Sequence, residues 1–427
     1  MPIHRRSFLA TTVFTCAGTY RLLAGTEKPV GPNDRIGLGF IGVGTMGRGH
    51  LGGFLGQKDV QVVAVCDVVK ERRDSAVNTV QKRYSQQKES SYAGCASFND
   101  FRELLARKDI DAVVISTPDH WHTIPCILAA RAGKDIYCEK PLTRTIGEGR
   151  RIVNDVAKAK VIFQTGSQQR SEYGHRFRKA VVMIRQGIIG DVKTVRIGVG
   201  APAVACDLPG QPAPEGTDWK LWVGPAAMRE YNEILCPKGV HGHFPLWRNY
   251  REYAGGGLAD MGAHHFDIAQ WALGMDGSGP VSIVLPDKKQ NTGLRYVYVN
   301  GTEMFHGGPS GCTFEGTKGT IYVDRDKFEI KPETLAKVPI KDDKEAVYYS
   351  TNHHRNWIEC IRSRKQTICP AEVGHRSASI CHLGNLGYQL GVALKWDPVK
   401  ERFEGNEEAN KLVDPAYQND WQSMSGT

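Results

Sequence analysis

In the segment Gly255–Asp267 (GGGLADMGAHHFD), Asp260, His264 and Asp267 stand at i, i+4 and i+7. That spacing brings all three side chains to one face of a helix, with Asp260 in its first turn. A carboxylate and an imidazole so placed suit proton transfer, and histidine is the side chain best tuned for it near neutrality. Taken alone the pair has a plainer reading, with Asp260 a helix-start acid facing the dipole and His264 a satisfied core histidine. Lys140, in Glu139-Lys140-Pro141, tips the balance toward chemistry. An ammonium can steady the negative charge left on an oxygen that gives up its proton. His264 is then the base, Asp260 orients the imidazole or the hydroxyl, and Lys140 stabilises the alkoxide. His265 falls off that face and Asp267 supports at most, so neither is assigned a catalytic part.

The elements that must position these groups begin with Arg35 to Gly42 (RIGLGFIG), an apolar strand running into Gly42-Val43-Gly44-Thr45-Met46-Gly47 and a helix. In this GxGxxG the first glycine permits a tight turn, the second lets the backbone approach a diphosphate, and the third packs helix on strand. Val60 to Cys66 forms a second strand ending at Asp67, where a carboxylate would bind ribose hydroxyls and repel a 2′-phosphate. NAD is therefore favoured over NADP, although Arg72 and Arg73 could soften the preference. Strand-like runs at 112–116, 135–139 and 160–165 alternate with helical stretches at 98–106, 122–133 and 145–158, which implies a doubly wound parallel sheet. Ser116 to His122 (STPDHWH) and Glu139-Lys140-Pro141 fall at the carboxyl ends of its strands, where such sheets bind ligands. Lys-Pro is also a bond where a cis peptide is accessible, and it would aim Lys140 into the cleft.

With the fingerprint, these two motifs resemble the Gfo/Idh/MocA family of oxidoreductases. The resemblance implies that Lys140 reaches the substrate hydroxyl and the nicotinamide. Gly42, Gly44, Thr45, Met46, Gly47, Asp67, Thr117, Pro118, His122, Glu139 and Lys140 would then bind the cofactor. The Asp/His pair four apart after a glycine-rich turn matches the family's catalytic pattern at Asp260 and His264. The expected class is α/β: a Rossmann doubly wound sheet over 31–164 and, over 165–427, a second α+β domain with a large, mostly antiparallel sheet and C-terminal helices. Strands at 192–199, 281–285, 294–299 and 319–323 belong to that sheet, whose open face implies a homo-oligomer. The implied substrate is a small carbohydrate. Gln169, Arg170, Trp247, Arg248 and Tyr250 are candidate sugar contacts, since ring faces stack on aromatics and hydroxyls need dense polar partners.

The first 30 residues read as a signal and linker. Arg5-Arg6 precede Ser7-Phe8-Leu9 and a mildly apolar stretch, as in twin-arginine export signals. The expectation is folded export to the periplasm or beyond by that machinery, with NAD tightly held because free NAD is scarce there. Of the net charge of +9, this leader carries three, and the remaining excess has no basic cluster interleaved with aromatics, so nucleic acid is not an expected partner. Nor is stable membrane insertion. Among the 11 cysteines, Cys66 and Cys138 sit in strand-like runs as small buried thiols, and no knuckle spacing occurs. His241 and His243, near Cys236, lack a full ligand set, so no metal is assigned. Two other activities remain open. One is NAD-dependent glycoside cleavage by oxidation, elimination and re-reduction, but the Tyr-Pro-Thr-His-Gly-Leu-Gly-Pro motif expected of such α-N-acetylgalactosaminidases is absent. The other is a non-catalytic binding protein that keeps the fold.

Overall fold

In the computed structural model, residues 34–424 are described, apart from 87–91, 93, 288–289, 342–343 and 345. The export-signal reading, including Arg5 and Arg6, lies outside the described residues. Along the first part of the chain β1 (Ile36–Ile41), α1 (Thr45–Phe54), β2 (Val60–Cys66), α2 (Lys70–Gln86), β3 (Ala96–Phe98), α3 (Phe101–Leu105), β4 (Ala112–Ile115), α4 (Thr123–Arg131), β5 (Asp135–Cys138), α5 (Ile146–Ala159) and β6 (Phe163–Thr165) alternate. The strands form a parallel sheet in the order β3-β2-β1-β4-β5-β6. Strands β1, β4, β5 and β6 are buried at every residue, because helices cover both faces; β1 and β4 carry no polar side chain for that reason, while Asp135 in β5 and Gln164 and Thr165 in β6 are buried polar exceptions. Strand β3 is not among the expected strands, and its last residue, Phe98, falls in the expected helical stretch 98–106; three residues with a half-exposed pattern carry no clear period. Strand order reverses between β1 and β4, which opens the ligand crevice there.

The rest comprises α6 (Arg176–Arg185), β7 (Val192–Gly198), α7 (Trp219–Val223), α8 (Gly256–Asp260), α9 (Gly262–Leu273), β8 (Ser282–Val284), β9 (Arg295–Val297), β10 (Glu303–Gly316), β11 (Thr320–Val323), β12 (Phe328–Lys331), α10 (His353–Ser363), α11 (Ala371–Leu390), β13 (Leu394–Asp397), β14 (Arg402–Phe403) and α12 (Glu407–Val413). An eight-stranded sheet runs β12-β11-β10-β9-β8-β13-β14, with β7 on β10. Strand β10 folds around β7: Cys312–Glu315 pair with Ile197–Thr194, and Glu303–His306 with the same residues from the other side. The bend between these halves holds Gly307, Gly308 and Gly311, all at positive φ. Helix α10 returns to the nucleotide-binding half, where Trp357 and Ile358 join Phe40, Phe54 and Tyr137 in one core. The ten described cysteines are free thiols.

The glycine-rich segment is not one helix. A break at Met261 separates α8 from α9, so Asp260 ends one helix and His264 sits in the first turn of the next. Close packing imposes the break's surroundings: a Cβ on Gly257 would meet Gly200 at 2.8 Å, and one on Gly256, at φ +68, would meet Ala203 N at 2.4 Å. Asp260 is therefore the last residue of α8, next to the N-cap of α9, and not in the first turn of one long helix.

Candidate active site

The glycine fingerprint does three different jobs. Gly42 has φ +85, and a Cβ on Gly47 would lie 2.1 Å from Gly42 O, so α1 can pack on the turn only without one. A Cβ on Gly44 would enter open space at the start of α1, which is where a diphosphate needs the backbone bare. Gly44 precedes a helix with no side-chain cap, leaving first-turn N–H groups for an anion. Asp67 stands at the end of β2, its carboxylate accepting from Val43 N (2.9 Å) and Val69 N (3.0 Å). Gly42, Gly44 and Asp67, with Thr45, Met46, Thr117 and Pro118, line one cavity; Gly47, expected among the cofactor contacts, packs on the turn instead and does not line it. The lining residues fit a dinucleotide.

A second cavity of about 490 Å³ adjoins the first, sharing Met46, Ser116, Thr117, Phe244, Trp247 and Arg248 with it. Lys140, Asp260 and His264 line it together. The Lys140-Pro141 peptide is cis. Lys140 Nζ donates to Asp260 Oδ1 (2.7 Å) and to Asp260 O (2.9 Å). Burial would push the Asp260 carboxyl up, but Lys140 and Arg248 outweigh it and hold it below its ordinary range, so it is ionised. Burial, followed by the charges of Lys140 and Arg325, keeps His264 well below the usual imidazole value. Its Nδ1 has no hydrogen-bond partner among the described residues. A buried neutral imidazole beside a fixed ammonium–carboxylate pair can accept a hydroxyl proton while the ammonium meets the oxygen.

Other expected residues fall elsewhere. His122 does not line either cavity; its ring nitrogens lie 2.8 Å from Pro141 O and 2.9 Å from Thr117 O, joining the two cleft loops. Arg170 is not at the cleft either. It is fully buried, its guanidinium paired with Asp267 (2.8 Å twice) and Asp276 (2.8 Å). Asp267 is thus engaged outside the cavity, and also accepts from Ser377 Oγ (2.6 Å). Gln169 lies beneath the cavity, donating to His264 O (3.3 Å) and accepting from Arg325 Nε (3.0 Å). Trp247 and Arg248 line both cavities, and Arg248 Nε is 3.7 Å from Asp260 Oδ1. Tyr250 packs in the apolar cluster around Trp222 and Tyr253 and reaches neither cavity.

Two groups of cleft residues were missed. Glu139, named only as a cofactor contact, accepts from His50 Nε2 (2.8 Å) and Gln168 Nε2 (2.8 Å), and His50 Nδ1 lies 2.7 Å from His354 Nε2. Asp119, inside the STPDHWH motif, is buried in the same cavity, and burial with the Asp260 charge raises it to about 8. Its place after a strand end was the available signal. For His50 and His354, 304 residues apart, the sequence offers none.

A parallel sheet with a glycine cradle, opening onto an ammonium, a carboxylate and an imidazole, defines a nicotinamide-dependent oxidoreductase. Residues 36–167 match the oxidoreductase family's NAD-binding Rossmann fold, and residues 203–423 match its C-terminal alpha/beta domain. The chain belongs to the Gfo/Idh/MocA oxidoreductase family. It is 32% identical over 209 residues to a glycosyl hydrolase family 109 protein of Shewanella pealeana, and 30% identical over 210 residues to one of Shewanella baltica. The first match spans 45% of this chain and 45% of its relative, and the second 44% of each. Its fold is similar to the aldose-aldose oxidoreductase of Caulobacter crescentus (TM-score 0.56, 17% identity, 84% of this chain and 99% of that one). The WlbA dehydrogenase of Bordetella pertussis, solved with NADH and UDP-GlcNAcA, is similar too (TM-score 0.56, 20% identity, 85% and 99%).

Proposed function

We propose that the protein moves a hydride between a tightly held NAD and a hydroxyl-bearing carbon of a sugar, glycoside or polyol. The observation that carries this reading is the meeting of Lys140, Asp260 and His264 in a cavity that adjoins the nucleotide cavity. When bound, the nicotinamide supplies the hydride acceptor. The chain's part is protonic and electrostatic: His264 takes the hydroxyl proton, and Lys140, held by Asp260, faces the oxygen that becomes an alkoxide. As negative charge grows there it offsets the Lys140 charge, one of the causes of His264's depression, so the imidazole becomes a stronger base as the reaction proceeds. Trp247 supplies an apolar face beside the guanidinium of Arg248, a pairing suited to a sugar ring. Preference for NAD over NADP rests on Asp67 and on the turning of Arg72 and Arg73 toward main-chain oxygens.

The test is a panel of mono- and disaccharides offered to NAD-loaded protein, with absorbance followed in the reduced-nicotinamide band and products identified by NMR. A keto-sugar supports the proposal, and no oxidation of any sugar or polyol counts against it. A second reading, glycoside cleavage through transient oxidation and elimination, draws on the relatives named glycosyl hydrolase family 109 and on the further acid–base groups Asp119 and Glu139 in the cavity. Elimination needs a second proton acceptor and a donor to the leaving oxygen, parts that ionised Glu139 and protonated Asp119 offer. Released aglycone without net NADH would favour it. Export of the folded protein by a twin-arginine route and assembly into a homo-oligomer through the open sheet face complete the proposal. Fractionation of expressing cells, with Arg5→Lys and Arg6→Lys together, and light scattering test them.

A further inference from the structure

The second domain lends a segment to the nucleotide site. Residues 237–245 cross from the apolar cluster of Trp222, Leu235 and Trp247 to the mouth of the cradle, and their main-chain oxygens are held by side chains of the nucleotide-binding half. Thr45 Oγ1 donates to His243 O (2.8 Å), Arg48 to His241 O, and Arg72 to Gly239 O (3.1 Å) and Pro237 O. Pro237, His241 and Pro245 thereby form a wall of the cavity whose opposite side is Gly42, Gly44 and Asp67. His241 Nδ1 is bonded to His243 O (2.9 Å), which fixes the ring, and Nε2 is buried without a partner among the described residues. The segment continues as a wall of the substrate cavity through Phe244, Trp247 and Arg248, with Arg248 over Trp247 at 4.2 Å.

We propose that residues 237–245 are a cofactor strap, which must detach from Thr45, Arg48 and Arg72 before a dinucleotide can enter or leave. The inference rests on reading the glycine cradle as the nicotinamide site and goes beyond it by assigning the exchange barrier to named bonds. Its ligand is the diphosphate-linked middle of the dinucleotide, the part that lies at the start of α1. A tethered strap slows traffic in both directions. Loss of a direct cofactor contact would instead speed departure alone, so the two roles separate in the kinetics.

Full-length protein is loaded with NADH, and dissociation is followed by fluorescence after a chase with excess NAD; association is followed by stopped flow. In the double variant Thr45→Val with Arg48→Met, both rates are expected to rise at least about tenfold, with Kd changing much less. Rates within about twofold of the parent overturn the strap, as does a rise in dissociation alone. Should the variant fail to fold, amide exchange on the unaltered protein decides. Protection of 239–244 that increases on loading with NADH supports the strap, and protection that does not change overturns it. An unaltered protein that binds no NADH overturns the nicotinamide reading itself, an outcome distinct from rapid exchange.

Discussion

Two carboxyls share the substrate cavity, and burial drives both toward the protonated form, yet they end at opposite extremes. Glu139 is pulled down to about 2, because His50, Lys140 and Gln168 together overcome its desolvation. Asp119 rises to about 8, because Asp260 adds to desolvation and Arg248 and Lys140 only partly offset them. Depth is not what separates them. The decisive difference is a hydrogen-bonding partner at 2.8 Å on one side and a like charge on the other. At neutral pH the cavity therefore holds a fixed anion and a proton donor, the division of labour that acid–base chemistry requires.

Lys140 acts on both carboxyls, so removing it disturbs the whole comparison. Lys140→Met is expected to lower turnover of a panel substrate about 10³-fold, by loss of the alkoxide contact and of the charge that holds Asp260 ionised. Single-turnover absorbance of NADH measures this, and a loss below tenfold would show that the ammonium does not meet the reacting oxygen. His264→Gln comes next, at about 10²-fold on the same assay, with substrate affinity little changed. His50→Leu tests Glu139 directly, for it leaves a buried carboxylate without its main partner and should cost about 3 kcal/mol in urea unfolding at pH 7. The sign with pH follows from a folded value below the ordinary 4.5: the pair's contribution is complete above pH 4.5 and is lost as pH falls toward about 2. Carbon-13 NMR of labelled Glu139 should show it titrating upward in the variant; an unmoved titration breaks the comparison.

Asp119→Asn has the smallest expected effect near neutrality. A folded value above the ordinary 3.8 means that the native state keeps this proton longer than the unfolded chain does, so stability falls as pH rises from about 4 to about 8. The amide removes that fall, and thermal unfolding at pH 5 and pH 9 should differ less in the variant than in the parent.

The nucleotide-binding half was legible because its evidence is local. The buried parallel strands are predominantly apolar runs, and the glycines and Asp67 stand at fixed offsets from the ends of β1 and β2. Lys140, Asp260 and His264 could be named because Lys140 lies in one short pattern, Glu139-Lys140-Pro141, and Asp260 and His264 share another after the glycine-rich turn. The faces were less accessible: the spacing put Asp267 on the face of Asp260 and His264, but Asp260 belongs to a separate helix and the Asp267 carboxylate is taken up by Arg170. Arg170 and Tyr250 were read by side-chain type, and type does not reveal that a guanidinium is already engaged by two carboxylates. Strand β10 escaped notice because its glycine-rich bend looks like a loop. The His50–His354 contact joins α1 to α10 through tertiary packing, which no local pattern encodes.

The bond between Lys140 and Asp260 links the carboxyl end of β5 to the last residue of α8, and so ties one domain to the other. Any hinge motion wide enough to part the domains at that point also takes the ammonium from the carboxylate. Parted from Lys140, Asp260 loses the stronger of the charges that hold its carboxyl below the ordinary range. One ion pair thus couples the relative placement of the two domains to the ionisation of a cavity carboxylate.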